Sequence, residues 1–280
     1  MRARRAPAPG FDRERRACGG SRGAGAALKA DGSAFRIGDA RGGDAPAVLC
    51  VHGLTGTPYE VRPPAEALAE SGFFCEGPLL PGHGTRHEDL AATPRGAWVE
   101  AVVSAFDALA SRHARVYVLG LSLGGLLALS LAGRRPVAGA VVLAAPLDLG
   151  PLIRNAVPWL WPLVRSLPKT PAIFDDEARM RHPGYDRMPM RSVNELIRLA
   201  REVERALPEV RAPVQLIFSR RDPTVPARNA QAILDALAPG DRELHWLEDS
   251  AHVLPVDRER ELVARRVVEF LLRLEKSAGG

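Results

Sequence analysis

The 280-residue chain is short of cysteine, with three, and of aromatic residues, at 5%. It has no apolar run approaching 18 residues, no internal repeat, and no histidine or cysteine spacing suited to a metal. Each lack removes a class. Cys18, Cys50 and Cys75 cannot supply a full set of disulfides, so a reducing, cytoplasmic setting is expected over a secreted, disulfide-stapled one. Without a long apolar run, neither a transmembrane helix nor stable membrane insertion is expected. Arg4-Arg5 starts no export signal, because Ala6-Pro-Ala-Pro-Gly10 follows where an apolar stretch is required. The net charge of +5 suggests nucleic acid only at first sight. Arginines 2, 4, 5, 13, 15, 16 and 22 crowd the start, the remainder is near balance, and no basic stripe interleaved with aromatics occurs. Residues 1–26 read as a disordered basic tail.

What is present is enough for a large core, with 46% hydrophobic side chains and 25% charged. The chain is organised around Gly120-Leu121-Ser122-Leu123-Gly124. The run 114–119 before it reads as a buried strand, and the run 125–132 after it as a helix. A strand that enters such a turn and leaves as a helix holds its serine strained at the apex. Upstream, 34–37 reads as an edge strand, 47–51 as a buried strand, 63–71 as a helix and 73–77 as a strand. A helix carrying Trp98, Val102, Ala105, Phe106 and Leu109 follows. Downstream, 139–145, 213–218 and 243–247 read as strands, with helices over 227–237 and 258–274. This alternation predicts an α/β fold with a mostly parallel central sheet flanked by helices. Between 149 and 208 the rhythm breaks into proline-rich helical patches without a convincing strand. The expected division is a core over 27–148 and 209–275 with a helical lid inserted at 149–208.

A serine hydroxyl needs a base within hydrogen-bond reach and an acid to orient that base. Asp222 follows the strand 213–218, and His252 follows the strand 243–247. Each therefore stands where open α/β sheets place their sites. Asp249 is the rival acid, but it lies only three residues from His252. His245 falls within a strand, while His87, His113 and His182 follow none. The oxyanion donors expected are the backbone N–H groups of Leu123, at the start of a helix, and Leu54, in the loop after the first core strand. His52 reads as a brace for that loop and not as a base.

The segments Val51-His52-Gly53-Leu54-Thr55-Gly56-Thr57-Pro58, Leu80-Pro81-Gly82-His83-Gly84-Thr85 and Gly120–Gly125 come first in the chain. With Asp222-Pro-Thr-Val-Pro226 and Ser250-Ala251-His252-Val253, they span most of 47–272. In that order they resemble the α/β-hydrolase superfamily, and more closely its small bacterial carboxylesterases and monoacylglycerol lipases. The resemblance implies cofactor-free hydrolysis of short- to medium-chain acyl esters by Ser122, Asp222 and His252. It leaves open an acyltransferase or a small-peptide hydrolase on the same triad, and a non-catalytic binding member of the fold. Leu54 stands where these enzymes often have Phe. Trp159 and Trp161, in the least family-like part, are expected to line an acyl tunnel above Ser122. The expected partner is a small ester, with the protein a monomer or weak dimer.

Overall fold

A computed structural model describes residues 29–39 and 45–278, so the expected basic tail and Cys18 lie outside the described residues. Among the described residues the strands are β1 (Phe35–Ile37), β2 (Ala47–Val51), β3 (Phe74–Gly77), β4 (Val116–Leu121), β5 (Ala140–Leu143), β6 (Ser166–Pro168), β7 (Arg187–Pro189), β8 (Val214–Ser219) and β9 (Arg242–Leu247). Seven of them form one sheet in the order β1-β3-β2-β4-β5-β8-β9. Every pairing in it is parallel except that of the edge strand β1 with β3.

The central strands are buried along their whole length, and mostly apolar, because both faces of the sheet are covered. Alternation of side chains distributes β4 between two cores. Val116 and Val118 join the helices Arg95–Ala110, Leu123–Ala132 and Met190–Ala206 on one face. Tyr117, Leu119 and Leu121 join Arg62–Glu70 and Arg260–Ala278 on the other. β4 runs two residues further than the sequence suggested and ends at Leu121, so the turn is tighter than the motif alone implies.

The segment 149–208 differs from the all-helical expectation. It contains helices Pro151–Leu160, Asp176–Arg181 and Met190–Ala206, and also a two-stranded antiparallel ribbon of β6 with β7. Both strands are three residues long and end in proline, which removes the usual strand signal from the sequence. The helix Met190–Ala206 buries Leu196, Leu199, Ala200 and Val203 against the sheet-covering helices and keeps its arginines outward.

The turn after β4 is a place of unusually close approach. A Cβ on Gly120 would overlap the Gly124 carbonyl, and one on Gly124 would overlap the Val51 carbonyl of the neighbouring strand. Gly124→Ala is expected to cost about 3 kcal/mol or more, a fall in Tm of roughly 6–12 °C. Gly96→Ala, where an added Cβ meets nothing within 4 Å, should be neutral or stabilise by up to about 1 kcal/mol. Equal melting temperatures for the two variants would contradict this packing.

Candidate active site

The three residues nominated from sequence meet at the carboxyl edge of the sheet. Ser122 follows β4 with φ +55°, a conformation that costs a non-glycine residue about 1–3 kcal/mol. Its Oγ lies 2.9 Å from His252 Nε2, and His252 Nδ1 lies 2.7 Å from Asp222 Oδ2. With its proton on Nδ1, His252 donates to Asp222 and accepts from the serine hydroxyl. Burial would raise the Asp222 pKa, but the His252 ring and the N–H groups of Val225 and Thr224 outweigh it and hold the carboxyl below the usual range. Asp249, the rival acid, pairs with Arg221 and Arg258 at the surface instead.

The loop bearing His252 is pinned by a fully buried carboxylate that the sequence did not disclose. Asp257 accepts from Ala251 N–H at 2.7 Å, Phe174 N–H at 2.9 Å, Asp175 N–H at 2.8 Å and Arg258 N–H at 2.9 Å. His252 N–H in turn donates to the Ala172 carbonyl at 3.0 Å.

A second polar cluster underlies the loop after β2. His52 donates from Nδ1 to the Gly53 carbonyl at 2.9 Å and accepts from Leu80 N–H on Nε2 at 3.1 Å. It is therefore a neutral brace, and burial lowers its pKa. Gly53 N–H donates to Glu60 Oε2 at 2.8 Å, and His182 Nε2–H donates to Glu60 Oε1 at 2.8 Å. Burial opposes ionisation of Glu60, yet the hydrogen bond from His182 and the ammonium of Lys169 outweigh it and bring its pKa to about 2. Lys169 donates to Thr55 Oγ1, and desolvation lowers its own pKa. Sequence reasoning missed this cluster. The available signal was Thr57-Pro-Tyr-Glu60, a helix-start spacing whose glutamate turns inward.

Ser122 and His252 open onto a cavity of about 440 Å³. Its apolar wall comes from Ile153, Val157, Leu167, Met188, Val193 and Leu196, with Glu60 and Lys169 also on its lining. Leu167 and Met188 face each other across the β6–β7 ribbon. Neither nominated tryptophan lines this cavity. Trp159 is 82% exposed. Trp161 packs behind the Val157–Val193–Ile197 cluster and borders a separate cleft with His87 and Arg191. Helical spacing explains the error: Ile153 and Val157 are four residues apart on one face, whereas Trp159 is turned about 200° from Val157.

A parallel sheet with serine, aspartate and histidine in that chain order at its carboxyl edge defines a serine hydrolase of the α/β-hydrolase fold. The chain belongs to the serine aminopeptidase S33 family, whose model matches residues 44–259. It is 33% identical over 227 residues to a thermostable monoacylglycerol lipase of Bacillus sp. strain H-257, covering 81% of this chain and 90% of that one. It is 29% identical over 239 residues to a carboxylesterase of Bacillus subtilis strain 168, covering 84% and 95%. A solved metagenome-derived lipolytic enzyme superposes with a TM-score of 0.81 at 29% identity, covering 88% of this chain and 99% of that one.

Acid should weaken the loop cluster in two windows. Burial holds His83 neutral with a pKa of about 3, so its contribution is complete above the ordinary histidine value near 6.5 and is lost as pH falls toward 3. Glu60, with its pKa lowered, contributes above the ordinary glutamate value and loses that contribution as pH falls from about 4.5 toward 2. Thermal melts between pH 7.5 and 3 should show Tm level down to about pH 6.5 and falling below it. The slope between pH 6.5 and 4.5 should flatten in His83→Gln; an unchanged slope would remove His83 from the account.

Proposed function

We propose that the protein hydrolyses carboxylic esters of apolar acyl groups through an acyl-enzyme on Ser122, with monoacylglycerols its best substrates. The observation that supports this most is the continuous relay from Asp222 through His252 to Ser122 Oγ, opening on an apolar cavity. Ser122 Oγ attacks the ester carbonyl as its proton passes to His252 Nε2. Asp222 stabilises the resulting imidazolium through Nδ1–H. The backbone N–H groups of Leu54 and Leu123 hold the oxyanion. In favour of Leu54 is that the adjacent Gly53 N–H is already committed to Glu60. In favour of Leu123 is its place as the first residue of the helix Leu123–Ala132. His252 then returns the proton to the leaving alcohol, and water releases the acid by the same path.

The acyl chain occupies the cavity wall formed by Ile153, Val157 and the ribbon, and residues 149–208 act as its lid. A peptidase reading, which the family description carries, needs carboxylate oxygens free to grip a substrate ammonium. Glu60, the one carboxylate on the cavity lining among the described residues, has both oxygens committed and Lys169 beside it. That disfavours an aminopeptidase. The relatives named above, a monoacylglycerol lipase and a carboxylesterase, favour the ester. A cytoplasmic monomer or weak dimer completes the reading. The buried free thiols of Cys50 and Cys75 and the lack, among the described residues, of a helix able to cross a membrane are in keeping with it.

Ser122→Ala should abolish turnover of p-nitrophenyl octanoate, and Asp222→Asn should lower kcat by on the order of 10⁴. Near-full activity in Asp222→Asn would refute the assignment of the acid. Each methylene added to the acyl chain should raise kcat/KM about three- to fourfold, at ~0.8 kcal/mol each, until the cavity is full. Val157→Trp should move that maximum to shorter chains, and Trp159→Ala should leave it in place. A shift caused by Trp159→Ala alone would exclude this route for the chain.

A further inference from the structure

Lys169 has no part in the relay, yet it is on the lining of the same cavity as Ser122. It is the one lysine or arginine among the described lining residues. Its backbone is fixed by a 2.7 Å hydrogen bond from its N–H to the Asp186 carbonyl, and its side chain donates to Thr55 Oγ1. The residue as a whole is half-buried, but its charged end is desolvated. An ammonium carries three N–H donors, so Thr55 leaves capacity for a further acceptor.

The charges around it decide what that acceptor is. Glu60 is ionised, with a pKa of about 2. His182 is neutral, because its Nδ1 accepts from Gly184 N–H at 3.1 Å while its Nε2–H donates to Glu60. His52 is neutral by the same reasoning, since its Nε2 accepts from Leu80 N–H. One carboxylate thus faces one ammonium, and the cluster sums to zero. An anionic ligand would bring in an uncompensated buried charge, whereas a neutral hydroxyl needs no counter-charge.

Location decides which part of a substrate carries that hydroxyl. The Glu60 carboxylate and Ser122 stand on either side of Gly53. A Cβ built there would be 3.0 Å from Glu60 Oε2 and 3.5 Å from Ser122 Cβ. The polar cluster is therefore beside the reacting centre. The apolar set of Val157, Val193, Met188 and Met190 forms a distinct cluster of its own. An ester with its acyl chain on the apolar wall places its alcohol at the polar one.

We propose that Lys169 is a specificity-determining residue that donates a hydrogen bond to a free hydroxyl of the leaving alcohol, so that esters of polyhydric alcohols are preferred over those of simple alkanols. The inference rests on the ester-hydrolase reading. It assigns to one side chain a discrimination that the triad cannot make.

The test uses three octanoate esters, of glycerol, propane-1,2-diol and propan-1-ol, with the full chain. A hydrogen bond from a charged donor is worth about 1.5–3 kcal/mol, so kcat/KM should fall roughly tenfold or more from the glyceryl to the propyl ester. In Lys169→Met that ratio should shrink to within about threefold. If Lys169 only braced Thr55, all three esters would slow together and the ratio would persist, which would overturn the proposal. A wild-type series with no preference would overturn it without any variant. Should Lys169→Met fail to fold, Lys169→Arg keeps the charge opposite Glu60 but changes the donor geometry. An unaltered ratio in that variant would also overturn it. Turnover of none of the three esters by the wild type would defeat the ester-hydrolase reading itself, and the role of Lys169 with it.

Discussion

The Val51 carbonyl oxygen occupies the space that any side chain at position 124 would need. This contact between β2 and the helix leaving the serine turn fixes much of the rest. It sets the loop His52–Gly53 against the serine turn and the start of the helix Leu123–Ala132, the closeness that the proposed pair of oxyanion donors requires. It also demands the left-handed backbone at Ser122, a conformation held only because β4 and its flanking cores over-determine the turn.

Beneath that loop the protein uses ions and neutral imidazoles where a simpler design would use apolar packing. His52 and His83 are held neutral by burial, while Glu60 remains charged because Gly53 N–H, His182 and Lys169 surround it. Such a network tolerates little displacement, since each partner removed leaves a buried polar group unsatisfied. In the proposed mechanism that rigidity serves the Leu54 N–H, since a backbone donor has no rotamer of its own and is aimed only by fixing the chain on both sides of it.

The core of the fold was legible because buried parallel strands write themselves as apolar runs. Val48, Val118, Val142 and Ile217 each lie in a run that reads directly as a strand. The positions of Ser122 and Asp222 were equally legible at the ends of such runs, and that of His252 after the half-buried, mixed strand β9. The polar supports were not. Asp257, Glu60 and Lys169 look like ordinary loop charges in the sequence, and only the folded chain reveals how close they lie to the site. The inserted segment was misread for a different reason. Its tryptophans suggested burial by size, but helical phase, not size, decides which face of 151–160 turns inward, and that face holds Ile153 and Val157.

The four N–H groups gathered by Asp257 give the inserted segment a fixed and a free side. Phe174 and Asp175 donate to the same carboxylate that holds Ala251, and Ala172 accepts from His252 N–H, so this stretch is tied to the loop of the imidazole. Among the described residues, the hydrogen bonds of the helix Pro151–Leu160 and the strand β6 run to other parts of the chain than that loop. The cavity thus has one wall that is fixed to the His252 loop, while Ile153, Leu167, Thr170, Pro223 and Thr224 carry its lining out to solvent.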